Sequence, residues 1–201
     1  MSQISIKQKV QRIGVINTQA GNLFSLFACL KRIGFEPLMI NQPQQLDTSI
    51  SALLIPGQGR FGQVMSQLTS TGLDKVILEW TKADKPLLGI CVGLQVLFES
   101  SAEDPGVSGL GIFKGRVERL NSPKQPMVGW SKINADNAFL DQQIVYFVNS
   151  YGVKTSDVTA ATVNYGEQFV AAVNQGNIWA FQFHPEKSGP VGEEMMKQCL
   201  N

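Results

Sequence analysis

Residues 85–101 read KPLLGICVGLQVLFESS, and the change of period at the centre of this stretch decides the fold. Residues 86–90 form a continuous apolar run after a charged segment, which predicts a short buried strand. Beyond Cys91, the apolar residues Leu94, Leu97 and Phe98 recur at helical spacing, with Gln95 and Glu99 on a neighbouring stripe one turn apart. Cys91 therefore falls on a strand-to-helix turn between Gly89 and Gly93. Such a turn lifts a side chain clear of the sheet, and glycine removes the Cβ clashes around it, which is the logic of a nucleophile elbow. By itself the pattern fits a buried structural thiol equally well, since free cysteine is among the most buried residue types.

The companion stretch is 179–189, WAFQFHPEKSG. Ala180, Gln182 and His184 alternate with Phe181, Phe183 and Pro185, as on a strand whose last residues face a site. His184 is the one histidine of the chain, so a cysteine nucleophile that needs an imidazole base must take it from here. Glu186, two residues on, has the parity and reach to accept from the other ring nitrogen and hold the tautomer, completing a nucleophile, base and orienter set. Alone, His184 reads as a strand-end histidine bonded to a backbone group. Joined to Cys91, it reads as catalytic.

Upstream of the elbow, strand-like runs at 10–17, 37–41 and 52–55 alternate with helical spacing at 22–33 and with helical material over 62–80 that breaks near Gly72. This alternation predicts an α/β fold with a mostly parallel central sheet flanked by helices. Downstream the character shifts. Runs at 110–120, 127–133, 144–153, 160–165 and 169–174 have no helix between them, which predicts an antiparallel, strand-rich second half closed by a helix over 191–200. Because the catalytic set spans both halves, 1–201 is expected to be a single domain.

The run at 52–55 ends in Pro56-Gly57-Gln58-Gly59-Arg60-Phe61-Gly62, and glycine at this density calls for close backbone approach or positive φ. A phosphate loop would end in GK[ST], which is missing. An oxyanion loop fits better. In elbow enzymes one donor is the N–H after the nucleophile, here Val92, and the other comes from a loop after a neighbouring strand, here within Gly57, Gln58 and Gly59. A plain glycine turn is the remaining reading.

At 201 residues, 43% hydrophobic and 16% charged, the chain is long enough for one sizeable core and is globular rather than disordered. A formal net charge of +1 and the lack of a basic run give no electrostatic case for nucleic acid or an anionic membrane. Three cysteines without metal-ligand spacing, and a single histidine, point to no metal site and to a reducing setting. No stretch reaches the about 18 apolar residues of a membrane span, and no export signal is recognisable. The expected protein is soluble and cytoplasmic.

GICVGLQ (89–95) together with FQFHPEKSG (181–189) resembles the class I, triad-type glutamine amidotransferases. The further stretches AGN (20–22), IPGQGRFG (55–62), PGVSGLGIFKG (105–115), GWS (129–131), YFVNSY (146–151) and NYGEQFVAAV (164–173) narrow the likeness to the glutaminase subunits of imidazole glycerol phosphate synthases. The resemblance implies that Cys91 attacks the side-chain amide of L-glutamine, that His184 protonates the leaving ammonia and then activates water, and that Glu186 orients His184, with no cofactor. It implies substrate contacts from Gln95, and from Ser150 and Tyr151 through their backbone; Glu99 shares the predicted helix face of Gln95. It further implies a heterodimer with a (β/α)8 barrel cyclase that consumes the ammonia in histidine biosynthesis, docked near Ala20, Gly21, Asn22, Met127, Trp130, Asn149 and Lys187.

Departures from the family pattern fall outside the triad. PGVG is PGQG here, with Gln58; PHMGWN becomes Pro126-Met127-Val128-Gly129-Trp130-Ser131; FVHSY carries Asn149. They leave open a related glutaminase serving a different, diverged cyclase or synthase, and, in another class, a non-catalytic interaction module.

Overall fold

The computed structural model describes residues 10–19 and 23–201. The predicted alternation is realised as β1 (Arg12–Ile16), α1 (Phe24–Arg32), β2 (Glu36–Ile40), β3 (Ile50–Ile55), α2 (Phe61–Thr71), α3 (Leu73–Lys82) and β4 (Leu87–Ile90). The break near Gly72 is real: that residue takes a left-handed φ of 75° between α2 and α3, a conformation glycine adopts without a Cβ penalty. A single helical turn α4 (Val92–Gln95) follows, then β5 (Ser100–Ser101), β6 (Arg116–Arg119), β7 (Met127–Asn134), β8 (Ile144–Asn149), β9 (Tyr151–Val153), β10 (Thr159–Tyr165), β11 (Glu167–Gln175), β12 (Ile178–Phe181) and α5 (Gly189–Leu200).

Among the described residues the strands build a nine-stranded sheet in the order β2-β1-β3-β4-β12-β11-β10-β7-β8 and a three-stranded sheet β5-β6-β9. Neighbours from β2 through β12 pair in parallel, and those from β12 through β8 pair antiparallel. This is the α/β architecture expected, with the antiparallel half joined to the parallel half through β12. That strand sets Phe181 beside Ile90 on one side and beside Ala172 on the other.

Both faces of the parallel half are covered. Along β3 and β4, Leu53 and Leu87 enter one apolar cluster while Leu54, Leu88 and Ile90 enter the other, as period-2 alternation requires of a strand buried on both sides. Among the described residues no helix is long and apolar enough to cross a membrane.

Three expectations change. The helix after Cys91 is one turn rather than two or more, because the carbonyls a longer helix would use internally are taken by a loop. The N–H groups of Leu110, Phe113, Gly111 and Gly109 donate to the carbonyls of Val96, Leu97, Phe98 and Glu99. That loop occupies much of the run 110–120, which is therefore a strand only at β6. The run 144–153 also divides, at Ser150, between β8 in the large sheet and β9 in the small one.

Candidate active site

The C-terminal ends of β3, β4 and β12 lie side by side, at the edge where open parallel sheets present ligand sites. The chain leaves β4 through Cys91 at φ 48° and ψ −106°, an uncommon conformation for a residue with a Cβ. Surrounding contacts hold it there. The Cys91 N–H donates to the Phe181 carbonyl at 2.7 Å, and the Cys91 carbonyl accepts from Leu94 and Gln95 at 3.0 and 3.1 Å. Gly93 is pressed onto the end of β3 so closely that a Cβ would collide with the Ile55 carbonyl oxygen. Gly57 approaches from the loop beyond β3; a Cβ there would stand 2.9 Å from the Cys91 Cβ and from the Ile90 carbonyl oxygen. Glycine at 57 and 93 is what lets loop, strand end and turn meet.

His184 arrives from β12, the parallel neighbour of β4. Its side chain is 5% exposed, and Nδ1 lies 2.8 Å from Glu186 Oε1, while Cys91 is near enough to act on the imidazole electrostatically. Burial alone would hold the imidazole pKa down. Cys91 and Glu186 outweigh that and push it up to about 10. The protonated ring is thus favoured at neutral pH, held between the cysteine sulfur and a buried carboxylate whose Oε2 has no hydrogen-bond partner among the described residues.

The end of β8 forms the facing wall. Cys91 Sγ lies 3.7 Å from the Val148 carbonyl oxygen. Gln95, in α4 and buried, donates Nε2 to the Tyr151 carbonyl and to Gln182 Oε1, each at 3.1 Å. The Ser150 carbonyl accepts from Leu120 N–H at 3.0 Å.

A cysteine, an imidazole and a carboxylate now stand at the ends of neighbouring strands, and a family model described as glutamine amidotransferase class-I matches residues 15–201. The chain belongs to the class-I glutamine amidotransferases. This amidotransferase is 42% identical to the imidazole glycerol phosphate synthase subunit HisH of Synechococcus sp. (strain CC9902), over 94% of this chain and 93% of that one. It is 36% identical to imidazole glycerol phosphate synthase hisHF, chloroplastic, of Arabidopsis thaliana, where the match covers 94% of this chain but only 34% of the relative. Of solved structures, a crystal structure of glutamine amidotransferase superposes with a TM-score of 0.76 at 21% identity, covering 94% of this chain and 96% of that one. PurLQS from Thermotoga maritima superposes at 0.75 with 20% identity, covering 96% and 99%.

The amidotransferase fold brings together Cys91, His184, Glu186, Gln95, Gly57 and the Val148–Tyr151 backbone. Val92 opens the helical turn after Cys91, where N–H groups lack an intrahelical acceptor. Gln58 is half-buried, and Gly59 is exposed at φ 106°. Glu99 is not brought to the site: with α4 ended at Gln95 it turns to solvent, and its Oε2 accepts from Gly115 N–H at 2.7 Å.

Two residues expected at a docking surface lie inside. On β7, Val128, Trp130 and Lys132 point outward, so Met127 and Ile133 point in, and Met127 is buried. Asn149, which pairs with Met127 across the hairpin, is buried too. Its Nδ2 donates to the Tyr151 carbonyl at 3.1 Å, and its Oδ1 has no partner among the described residues. Trp130 and Lys187 are exposed as expected; Ala20, Gly21 and Asn22 lie outside the described residues.

Sequence reasoning missed three contributors. Gln182 is wholly buried beside Cys91, and its parity with His184 was the available signal. Glu103 and Asp104 accept from the Phe61 and Gly62 N–H groups at 3.0 and 2.9 Å, and Asp104 pairs with Arg60 at 2.9 Å. They tie down the far end of the Gly57–Gly59 loop from another part of the chain, which no local pattern announces.

Proposed function

We propose that this amidotransferase is the glutaminase subunit of imidazole glycerol phosphate synthase, hydrolysing L-glutamine to glutamate and ammonia and delivering the ammonia to a cyclase in histidine biosynthesis. The observation that carries the reading is the meeting of Cys91 with His184 at adjacent strand ends, with Glu186 on Nδ1. Cys91 sulfur attacks the side-chain carbonyl carbon of glutamine. The protonated His184 then gives its proton to the departing nitrogen, the C–N bond breaks, and ammonia leaves a thioester on Cys91. Neutral His184 next takes a proton from water, whose oxygen attacks the thioester and releases glutamate. Backbone N–H groups at Val92 and in Gly57–Gly59 hold the developing oxyanion. Gln95 uses both amide hydrogens within the protein, which leaves its Oε1 for the substrate's α-ammonium.

Residues 1–201 act as one cytoplasmic domain in this reading, because the triad draws on both halves of the sheet. Its partner is a (β/α)8 cyclase in a heterodimer. The Arabidopsis relative, a single chain named for the synthase of which this chain matches only 34%, supports such a partner. The docking face is the outer surface of β7 and β8, where Val128, Trp130 and Ile144 are all more than half exposed and Trp130 meets Tyr146 edge-on at 5.7 Å. Apolar clustering of this kind marks interaction surfaces. Lys187 is exposed as well, and the family resemblance adds residues 20–22 to the partner contacts.

The test is glutamine-dependent ammonia release with and without the histidine-pathway cyclase and its ribotide substrate. Release stimulated by both and lost in Cys91→Ala, with ammonia-dependent synthesis kept, is the expected result. Release without stimulation by this cyclase transfers the chain to a diverged cyclase or synthase, and no release in any mixture makes it an interaction module.

A further inference from the structure

Gln182 is wholly buried and one residue beyond the end of β12. Its Nε2 lies 3.5 Å from Cys91 Sγ, and its Oε1 accepts from Gln95 Nε2 at 3.1 Å. The orientation of both amides follows from a single backbone group. The carbonyl of Tyr151 can only accept, so Gln95 must turn its NH2 group toward it. The second hydrogen of that same NH2 meets Gln182, which must answer with its oxygen. Gln182 is then left with its own NH2 group facing the sulfur. The chain of bonds from Tyr151 through Gln95 and Gln182 ends, by elimination, in a donor aimed at the nucleophile. A negatively charged sulfur accepts such a donor better than a neutral thiol does, and hydrogen bonds to charged groups are the stronger ones.

We infer that Gln182 positions Cys91 for attack: its amide N–H donates to Sγ, favours the thiolate over the thiol, and through Gln95 ties the nucleophile to the backbone at Tyr151. The inference rests on the glutaminase reading of this site and adds to the triad a fourth side chain acting on the sulfur. It also explains a buried amide in an otherwise apolar stretch, between Phe181 and Phe183. An apolar residue there would pack as well, but it would leave the sulfur with no donor on that side.

The test is alkylation of Cys91 by iodoacetamide in the full chain, followed on the peptide that carries Cys91, from acid to alkaline pH. In Gln182→Met the rate at neutral pH should fall about tenfold and its rise with pH should move up by about one unit, with the alkaline plateau unchanged, as expected for one lost hydrogen bond to a charged acceptor. Gln182→Asn, which keeps a buried amide one methylene short of the sulfur, should give the same shift and decides the matter where Gln182→Met does not fold. An unmoved pH profile in a folded variant, or equal slowing at every pH, overturns the inference, because a purely structural residue would act in that way. The readout uses no glutamine, so a failure here leaves the glutaminase reading standing, and a failure of glutamine hydrolysis leaves the alkylation result unaffected.

Discussion

The main-chain N–H of His184 donates to the carbonyl of Tyr146 across 2.8 Å. Tyr146 sits in β8, at the opposite end of the sheet order from the parallel half, yet this bond lays β8 directly against the His184 segment. Ser188 adds to the same junction, its Oγ accepting from Tyr146 N–H at 3.0 Å and donating to the His184 carbonyl at 2.7 Å. The side chain of Tyr146 meets Trp130 on the outer face. One strand thus carries the proposed docking surface on one side and the histidine on the other.

Trp130→Ala should weaken the complex with the cyclase by about 2 kcal/mol or more, the usual scale of a central aromatic anchor. Because Trp130 is 57% exposed, the isolated chain should keep its unfolding midpoint. Titration calorimetry and thermal melts of the two proteins check both halves. Unchanged affinity would remove β7 and β8 from the interface.

Glu186→Gln should lower glutamine hydrolysis by at least about a hundredfold, the lower end of what a positioned acid and base supplies. The carboxylate holds Nδ1 at 2.8 Å, and an amide can meet it with the wrong group. Steady-state ammonia release in the assembled complex measures the loss, with ammonia-dependent synthesis as the control for folding.

Stability should depend on pH through His184. Its folded pKa is raised to about 10, above the ordinary value of about 6.5 for an unfolded chain, so the folded state binds the proton more tightly. The stabilisation is complete below about pH 6.5 and is lost as pH rises toward about 10. Urea unfolding of wild type and His184→Asn along that range should show a gap that closes on the alkaline side.

Gly57→Ala should reduce hydrolysis by about a hundred- to a thousandfold, the cost of one oxyanion donor. A Cβ at 2.9 Å from Cys91 Cβ and from Ile90 oxygen has to push the loop away. Alkylation of Cys91 in the same variant separates a displaced loop, which leaves the thiol reactive, from a collapsed site, which does not.

Phe183→Ala should destabilise the chain by about 3 to 5 kcal/mol. Phe183 is fully buried, stacks on Phe181 at 4.7 Å and meets Phe147 of β8 at 5.8 Å. Those contacts clamp β8 to the histidine segment, so glutamine hydrolysis should also fall in the fraction that remains folded.

The parallel half of the fold was legible in the amino-acid sequence, and so were the residues, Cys91, His184 and Glu186, from which the proposed triad is drawn. Apolar period and glycine placement at the Cys91 turn are local facts, and local sterics turn them into strand and elbow. What the tertiary structure alone decided is which strands meet. Nothing near Phe181 announces Ile90 as its partner; that pairing follows from burying both faces of β4 and β12, and it is what sets Gln182 against Cys91. The length of α4 likewise depended on carbonyl acceptors claimed by Leu110 and Phe113, which pulled Glu99 away from the face of Gln95. Met127 and Asn149 turned inward for a similar reason. A strand shows opposite faces at successive residues, so a one-residue choice of register exchanges surface for core, and that choice is made by the packing of β7 and β8 on the rest of the sheet.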